Sequence, residues 1–131
     1  MYNILIVDKD PATRRLYELT IKKINSNYNI SSFGSVEDLY KFVKKSDTIS
    51  KFKVLFLNVP DNRPRQTYLY NLERLKLLCI NLKVVGLCDY SYKYVDKDTV
   101  KLFEGWIKKP VTIQGFKTAL DKFYYSEDTL I

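Results

Sequence analysis

The sequence predicts an α/β fold, a doubly wound parallel sheet of five strands with five helices covering its two faces. Two observations lead to this prediction. Short apolar runs rich in β-branched residues recur along the 131 residues, and a stretch with helical periodicity follows each of them. Successive strand, helix and strand form a right-handed crossover, so the strands lie parallel in one sheet. The length suits one domain with one hydrophobic core.

The first strand and helix have the clearest boundaries. Residues 2–8, "YNILIVD", are apolar up to a final acid and suit a fully buried strand. Asp10 can cap the helix that follows, and Pro11 fits its first position. The helical spacing predicts one apolar face, made of Leu16, Leu19, Thr20 and Ile24.

The next two strands differ in polarity. Residues 28–33, "YNISSF", are polar enough to predict a strand at or near the edge of the sheet. Ser35 can then cap a second helix. The apolar face of that helix is predicted to contain Leu39, Phe42 and Val43. Residues 52–59, "FKVLFLNV", are the strongest indication of a buried strand in the chain.

The second half continues the alternation with weaker boundaries. Leucines at helical spacing in "TYLYNLERLKLLCIN" predict a third helix, and residues 82–88, "LKVVGLC", a fourth strand. A less distinct helix is predicted around residues 95–103, then a fifth strand at "GWIKK" and a last helix capped by Thr112. We therefore assign residues 1–125 to the domain and residues 126–131 to a C-terminal tail.

Five such units predict the flavodoxin-like strand order 2-1-3-4-5. In folds of this type the functional residues lie at the carboxyl ends of the strands, beside the point where the strand order reverses. In this chain that edge is predicted to consist of Asp8 to Asp10, Asn58 to Asn62, Cys88 to Tyr90, and Lys109 with Pro110.

The composition argues against several kinds of site. The chain has no histidine and no C-x-x-C spacing, so a zinc or redox site lacks ligands, and Cys79 and Cys88 are expected to be free thiols. It has no glycine-rich phosphate loop and no nucleophile with a visible base, so we do not expect an enzyme. No apolar run is long enough to cross a bilayer, and the first residues do not resemble a secretion signal, so we expect a cytoplasmic protein with no membrane partner.

The strand ends resemble the receiver domain of bacterial response regulators, the CheY-like module of two-component and phosphorelay signal transduction. The resemblance spans about residues 2–125 and is carried by "ILIVDKDPATRRL", "VLFLNVPD", "KVVGLC" and "WIKKP". It implies an acidic pair that binds magnesium after strand one and an aspartate that accepts a phosphoryl group at the end of strand three. It also implies a Ser or Thr at the end of strand four and a Lys-Pro after strand five.

Three of the matched positions depart from the family pattern. Asp8 matches the first acid, but Lys9 takes the place of the second acid. Asn58 takes the place of the phospho-accepting aspartate, and Cys88 that of the hydroxyl residue. Because an amide cannot form an acyl phosphate and a lysine replaces a carboxylate, we expect neither aspartyl phosphorylation nor magnesium binding. Two readings of Lys9 stay open: its ammonium fills the place of the ion beside Asp8, or it points to solvent.

Two further positions keep the family pattern. Lys109 and Pro110 match the family, and the resemblance implies a cis peptide bond between them.

Trp106 lies where receivers have an aromatic residue that switches between inward and outward rotamers. On sequence grounds it is either a core residue or this switch. Cys88 fits a small buried residue better than a reactive thiol, because no histidine is present to activate it.

Two functions follow from these observations. The first is a stand-alone, degenerate receiver (a pseudo-receiver) that acts as a phosphorylation-independent interaction module. The resemblance implies that its partners are other signalling proteins or a second copy, bound through the face of helix 4, strand 5 and helix 5. The alternative is a nucleic-acid-binding or scaffolding protein on the same fold, which the formal charge of +7 favours. It is the weaker of the two, because no run of five or more basic residues occurs.

Overall fold

A computed structural model describes residues 3–46, 51–59, 66–89 and 97–125 of the chain, with the side chains of 66, 67, 97 and 125 left out. Five strands and five helices alternate along these residues. The strands are β1 (Asn3–Val7), β2 (Asn29–Phe33), β3 (Phe52–Asn58), β4 (Lys83–Cys88) and β5 (Gly105–Lys108). The helices are α1 (Pro11–Ile24), α2 (Val36–Lys44), α3 (Gln66–Leu78), α4 (Lys97–Val100) and α5 (Ile113–Leu120), and a π-helical turn, Asp121–Tyr125, continues α5.

The strands form one sheet in the order β2-β1-β3-β4-β5, and all four neighbouring pairs are parallel. This confirms the predicted doubly wound architecture and strand order. The polar strand β2 lies at one edge of the sheet, as its composition predicts, and β5 lies at the other. Because all the strands run in one direction, their carboxyl ends meet along one edge, where the candidate residues were expected.

Two apolar layers lie on opposite faces of the sheet. Alternate residues of β1, β3 and β4 face α2 and α3, with Leu5, Leu55 and Val84 among the buried side chains. The residues between them face α1 and α5, with Ile6 and Phe56 as examples. Alternation along each strand thus separates the two layers, and both faces of β1, β3 and β4 are covered, which explains why these strands read as continuous apolar runs.

The buried face of α1 differs from the predicted one. Tyr17 and Ile21 are its buried residues, whereas Leu16 and Leu19 are 60% and 47% exposed. The helix is therefore rotated about its axis from the orientation that its leucines suggested. The Tyr17 ring packs edge-on against Phe116 of α5, with 5.4 Å between ring centroids, and this aromatic contact sets which face is buried.

Side chains cap the helices where the sequence predicted. Asp10 accepts a hydrogen bond from the Thr13 backbone N–H at 3.3 Å, and Ser35 accepts one from the Asp38 N–H at 3.1 Å. Thr112 accepts one from the Gly115 N–H at 3.1 Å. Each cap satisfies an N–H group that has no acceptor within its helix, so three of the five helix starts are fixed by local sequence. The hydroxyl of Thr13 also donates to Asp10 and lowers the pKa of that carboxyl group.

The fourth helix ends earlier than predicted, at Val100 and not at residue 103. The described part of α4 is Lys97–Val100, and the first part of the predicted helix, before residue 97, lies outside the described residues. The predicted tail, residues 126–131, also lies outside them. None of the described helices is long and apolar enough to span a membrane.

Candidate functional site

Asp8 occupies the first position after β1 at the carboxyl edge of the sheet. Its side chain is buried, with 5% of the residue exposed, and Oδ1 accepts a hydrogen bond from the Asp10 backbone N–H at 2.9 Å. The backbone of Asp8 is held on both sides: its N–H donates to the Phe33 carbonyl at 3.1 Å, and its carbonyl accepts from Arg14 Nη1 at 2.7 Å. The loop after β1 therefore presents one buried carboxylate in a fixed position.

Sequence reasoning did not identify Arg14 as part of this site. It lies on the first turns of α1, six residues after Asp8, and its guanidinium reaches back over the loop. An arginine near the start of a helix that follows a strand-end acid was the available signal. Its role is to position the loop, since its described hydrogen bond goes to a backbone carbonyl and leaves the Asp8 carboxylate to other partners.

The strand register brings Asn58 beside Asp8. Val7 and Leu57 are partners in the β1–β3 pair. Asp8 directly follows Val7 and Asn58 directly follows Leu57, so the two residues lie side by side at the carboxyl ends of neighbouring strands. The amide oxygen of Asn58 accepts a hydrogen bond from the ammonium group of Lys109. These two residues are 51 positions apart in the chain, and the sheet brings the end of β3 and the residue after β5 together.

The segment after β5 is held by the end of β4. The Lys109 backbone N–H donates to the Cys88 carbonyl at 2.8 Å, and the peptide bond between Lys109 and Pro110 is cis. On the other side of β4, the Val59 N–H donates to the Leu87 carbonyl at 2.9 Å. Backbone hydrogen bonds thus fix the positions from which the side chains of Asn58 and Lys109 meet.

Cys88 is buried, with 2% of the residue exposed, and packs in the layer that faces α2 and α3. It is a free thiol, as is Cys79 at the end of α3. Burial raises the pKa of Cys79 to about 11, so this thiol stays neutral across the physiological range. The burial of Cys88 matches that of a small packed residue at the end of β4.

Trp106 lies on β5 directly opposite Gly86 of β4. Its ring stacks on Phe103, with centroids 4.5 Å apart and an interplanar angle of 29°. A Cβ atom at position 86 would lie 2.6 Å from two carbon atoms of the indole, so the ring covers the glycine backbone closely. The half-buried indole therefore packs inward, against the sheet, and glycine is the residue that makes room for it.

Lys9 is exposed at the start of the loop after β1. Of the two orientations considered for its side chain, this exposure favours the one that points to solvent. Asp89, which lies within the predicted edge segment Cys88 to Tyr90, is also exposed and follows Cys88 directly. Burial, together with the negative charges of Asp8 and Asp89, raises the pKa of Tyr17 on α1.

The donor groups of this site differ from those that magnesium prefers. Magnesium is bound through carboxylates, waters and phosphate oxygens in an octahedral arrangement. Among the four positions matched to the family, Asp8 supplies a carboxylate, Lys9 and Lys109 supply ammonium groups, and Asn58 supplies an amide oxygen that accepts from Lys109. In the part of the chain that the structure describes, no three Asp, Glu, Cys or His side chains are grouped to hold a metal ion. The residues present do not fit the ion.

Comparisons of the whole structure place this geometry among solved proteins. A response regulator receiver domain protein from Clostridium thermocellum superposes with a TM-score of 0.77 over 100% of both chains, at 12% sequence identity. The chemotaxis response regulator CheY4 of Vibrio cholerae gives 0.73 at 18% identity, covering 94% of this chain and 98% of that one. A putative pilus assembly protein from Burkholderia thailandensis gives 0.72 at 15% identity, covering 95% and 99%.

This chain has the receiver-domain fold. The receiver-like resemblance of its strand ends is thereby matched by its complete architecture, with the same strand order and nearly full coverage of both chains. Neither the protein-family models nor the curated proteins give a match. At 12–18% identity the likeness concerns the fold alone.

Proposed function

We propose that this chain is a receiver-like signalling protein of the two-component type that works in the cytoplasm by binding other proteins, without phosphorylation at position 58 and without magnesium. The observation that carries this proposal is the pairing of the Asn58 amide with the Lys109 ammonium at the point where a receiver has its acceptor carboxylate. It is a binding module and not an enzyme.

The chemistry of Asn58 supports the first part of the proposal. Phosphoryl transfer to a side chain needs an oxygen nucleophile. The lone pairs of an amide oxygen are delocalised into the C–N bond, and in Asn58 that oxygen also accepts a hydrogen bond from a cation. The carboxylate among the matched positions, Asp8, accepts from the Asp10 N–H and directly follows β1, one strand away from the acceptor position on β3.

The charges at the site support the absence of magnesium. A divalent cation would approach the ammonium group of Lys109, with one carboxylate from the matched positions, that of Asp8, to offset it, and the exposed Lys9 supplies no carboxylate. Binding would also compete with Lys109 for the oxygen of Asn58. Charge repulsion and competition for the Asn58 oxygen both oppose magnesium binding. Magnesium gives up its bound water only to strong oxygen ligands, which this site does not supply.

The proposed contact surface is the face formed by α4, β5 and α5. The partners would be other signalling proteins or a second copy of the chain. β5 is an edge strand, and the face carries the inward-packed Trp106. Binding through this surface would need no phosphorylation, since the folded state alone sets the shape of the surface.

Incubation with acetyl phosphate and magnesium, followed at once by intact-mass measurement, tests the proposal. We expect no gain of a phosphoryl group, whereas a receiver that keeps its acceptor aspartate gains one in the same buffer. The variant Asn58→Ala, which removes the amide, controls for modification elsewhere in the chain. A phosphoryl group on wild-type protein that fragmentation maps to the site of Asp8 and Asn58 would overturn the proposal.

Nucleic-acid binding is the second candidate, and the charge of +7 is the observation in its favour. Exposed lysines in the described residues lie on several elements, with Lys23 on α1, Lys41 on α2 and Lys117 on α5 as examples. A dispersed positive surface predicts weak binding that depends steeply on salt. A titration with single- and double-stranded DNA and RNA at low salt, with no binding observed, would remove this candidate.

A further inference from the structure

A groove runs along the outer edge of the sheet, between β5 and α5, with a volume of about 480 Å³. All four residues of β5 line it, and the first two turns of α5 form the opposite wall. Two glycines keep it open. A Cβ atom at Gly115 would lie 3.3 Å from Ile107 Cγ2, and one at Gly105 would lie 3.7 Å from the Phe123 ring. Larger side chains at these positions would fill the space that the groove now leaves.

The strand that lines this groove has a free edge within the described sheet. β5 pairs with β4, and no described strand lies beyond it. An edge strand presents a row of backbone N–H and C=O groups that can hydrogen-bond to another extended chain. The groove therefore offers directional backbone contacts as well as apolar surface.

The charged residues that line the groove are both lysines. Lys108 lies at the end of β5 and Lys122 lies in the π-helical turn, and both are exposed. No aspartate or glutamate is among the described lining residues. Between the two lysines the surface is apolar and aromatic, with Trp106, Ala119 and Phe123. This arrangement complements an extended segment with apolar residues at its centre, which lie over the groove, and acidic residues on either side of them, which reach Lys108 and Lys122.

We propose that this groove binds an extended acidic segment of a partner protein, which adds to β5 as a sixth strand. The proposal deepens the interaction role proposed above and rests on it, since it names the chemistry of the partner on that face. The backbone of the segment pairs with the edge of β5, its apolar side chains lie in the groove, and its carboxylates meet Lys108 and Lys122. Recognition of this kind gives affinity through the backbone and selectivity through the alternate side chains.

The chain carries a built-in probe for this binding. Trp106 is the single tryptophan and lines the groove, so its fluorescence reports on an occupant. Full-length protein is titrated with two end-blocked synthetic peptides, one with a run of valines flanked on both sides by glutamates and one with lysines in place of the glutamates. We expect a saturable change in Trp106 fluorescence with the glutamate peptide and none with the lysine peptide. Hydrogen exchange then tests strand addition: the β5 amides that face away from β4 are expected to exchange more slowly when the peptide is bound.

A panel of random peptides displayed on phage removes dependence on one peptide sequence. Selection on the wild-type protein is expected to enrich peptides with an apolar centre flanked by acidic residues. The double variant Lys108→Glu with Lys122→Glu is expected to lose this enrichment and to bind the glutamate peptide about tenfold or more weakly. The control is Lys45→Glu with Lys51→Glu, which makes the same charge change at two exposed positions outside the groove and is expected to bind within about twofold of wild type.

Three results would overturn the inference. The first is a selection that yields no acidic enrichment together with an unchanged Trp106 signal. The second is peptide binding without slower exchange in β5, which would show docking without strand addition. The third is a fluorescence response to single-stranded DNA in place of the acidic peptide, which would assign the lysines to nucleic acid. None of these measurements uses a phosphodonor, so failure here leaves the test at Asn58 unaffected, and phosphorylation at the site would not by itself change the peptide result.

Discussion

Two lysine pairs at opposite ends of the sheet differ in the charge of the partner. Near the start of β4 and β5, Lys76 of α3 pairs with the carboxylate of Glu104. At the carboxyl ends of the strands, Lys109 pairs with the amide of Asn58. The first pair neutralises both charges inside a partly buried contact, with 20% and 28% of the two side chains exposed. The second leaves the lysine charge without that neutralisation from its amide partner.

The pair at the start of the strands is part of a wider network. Lys76 also donates to the Leu102 carbonyl at 2.8 Å, and Glu104 Oε2 accepts from the Val84 N–H at 2.7 Å. The network ties α3, β4 and the segment before β5 together. The contact between Asn58 and Lys109 is a hydrogen bond between an amide and a cation that joins the end of β3 to the residue after β5. The ion pair thus holds three parts of the fold together, whereas the contact at the carboxyl edge joins two.

The largest effect is expected at the ion pair. A double-mutant cycle with Lys76→Met and Glu104→Gln measures the coupling between the two side chains, and we expect about 2 kcal/mol in the free energy of unfolding. Each single variant leaves a partly buried polar group without its charged partner, so each is destabilised by about 2–3 kcal/mol. Urea unfolding at pH 7 gives the values. A coupling below about 0.5 kcal/mol would place this contact among ordinary surface ion pairs and remove the contrast.

The next effect concerns the thiol one turn after Lys76. The pKa of Cys79 is raised to about 11 by burial, so the unfolded chain loses this proton at lower pH than the folded one. Stability that is fully present below the ordinary thiol pKa of 9.0 is therefore lost as the pH rises toward 11. Relative to Cys79→Ala, wild type is expected to lose about 2 kcal/mol between pH 8.5 and 11.

This difference between wild type and Cys79→Ala cancels the titration of tyrosines and lysines, which both proteins share. Urea unfolding at several pH values measures it. Parallel curves for the two proteins over the whole range would show that the Cys79 thiol ionises equally well in both states. Cys88→Ala gives a matched control at the other end of the sheet, where the second free thiol is buried.

A smaller effect is expected at the amide pair. A cycle with Asn58→Ala and Lys109→Met should give a coupling of about 1 kcal/mol, because one hydrogen bond with a single charged partner replaces a network. Asn58→Asp converts the contact into an ion pair and is expected to strengthen the coupling toward that of Lys76 and Glu104. A loss of overall stability in Asn58→Asp would show that repulsion from Asp8 beside it outweighs attraction to Lys109, whereas a weaker coupling to Lys109 would contradict the expected ion pair.

The sequence predicts the elements of the fold better than the side-chain contacts at the two ends of the sheet. Strand positions, three caps and the strand order follow from local patterns, because β-branched runs, capping residues and strand ends are short-range signals. The rotation of α1 does not follow, since Leu16 and Tyr17 are equally plausible core residues until Phe116 is in place to pack on the tyrosine. At the site, strand ends predict that Asn58 and Lys109 share an edge. The hydrogen bond between Asn58 and Lys109 joins residues that are 51 positions apart, and the contact between Lys76 and Glu104 joins residues that are 28 apart. Both depend on how the sheet assembles.

The smallest effect tests whether charge alone separates the site from a metal-binding one. The double variant Lys9→Asp with Asn58→Asp places three carboxylates near Lys109, counting Asp8, and supplies the oxygen ligands that magnesium requires. At a magnesium concentration equal to its dissociation constant, the variant should gain about 0.4 kcal/mol of stability, while wild type gains none. Thermal unfolding with and without magnesium measures the gain. Calcium serves as a second cation, and Lys9→Ala is the control variant that removes the lysine charge without adding a ligand. Stabilisation of wild type by magnesium would mean that the carboxylate of Asp8 and the surrounding backbone hold the ion despite Lys9 and Lys109. The contrast between the two ends of the sheet would then lie in geometry and not in charge.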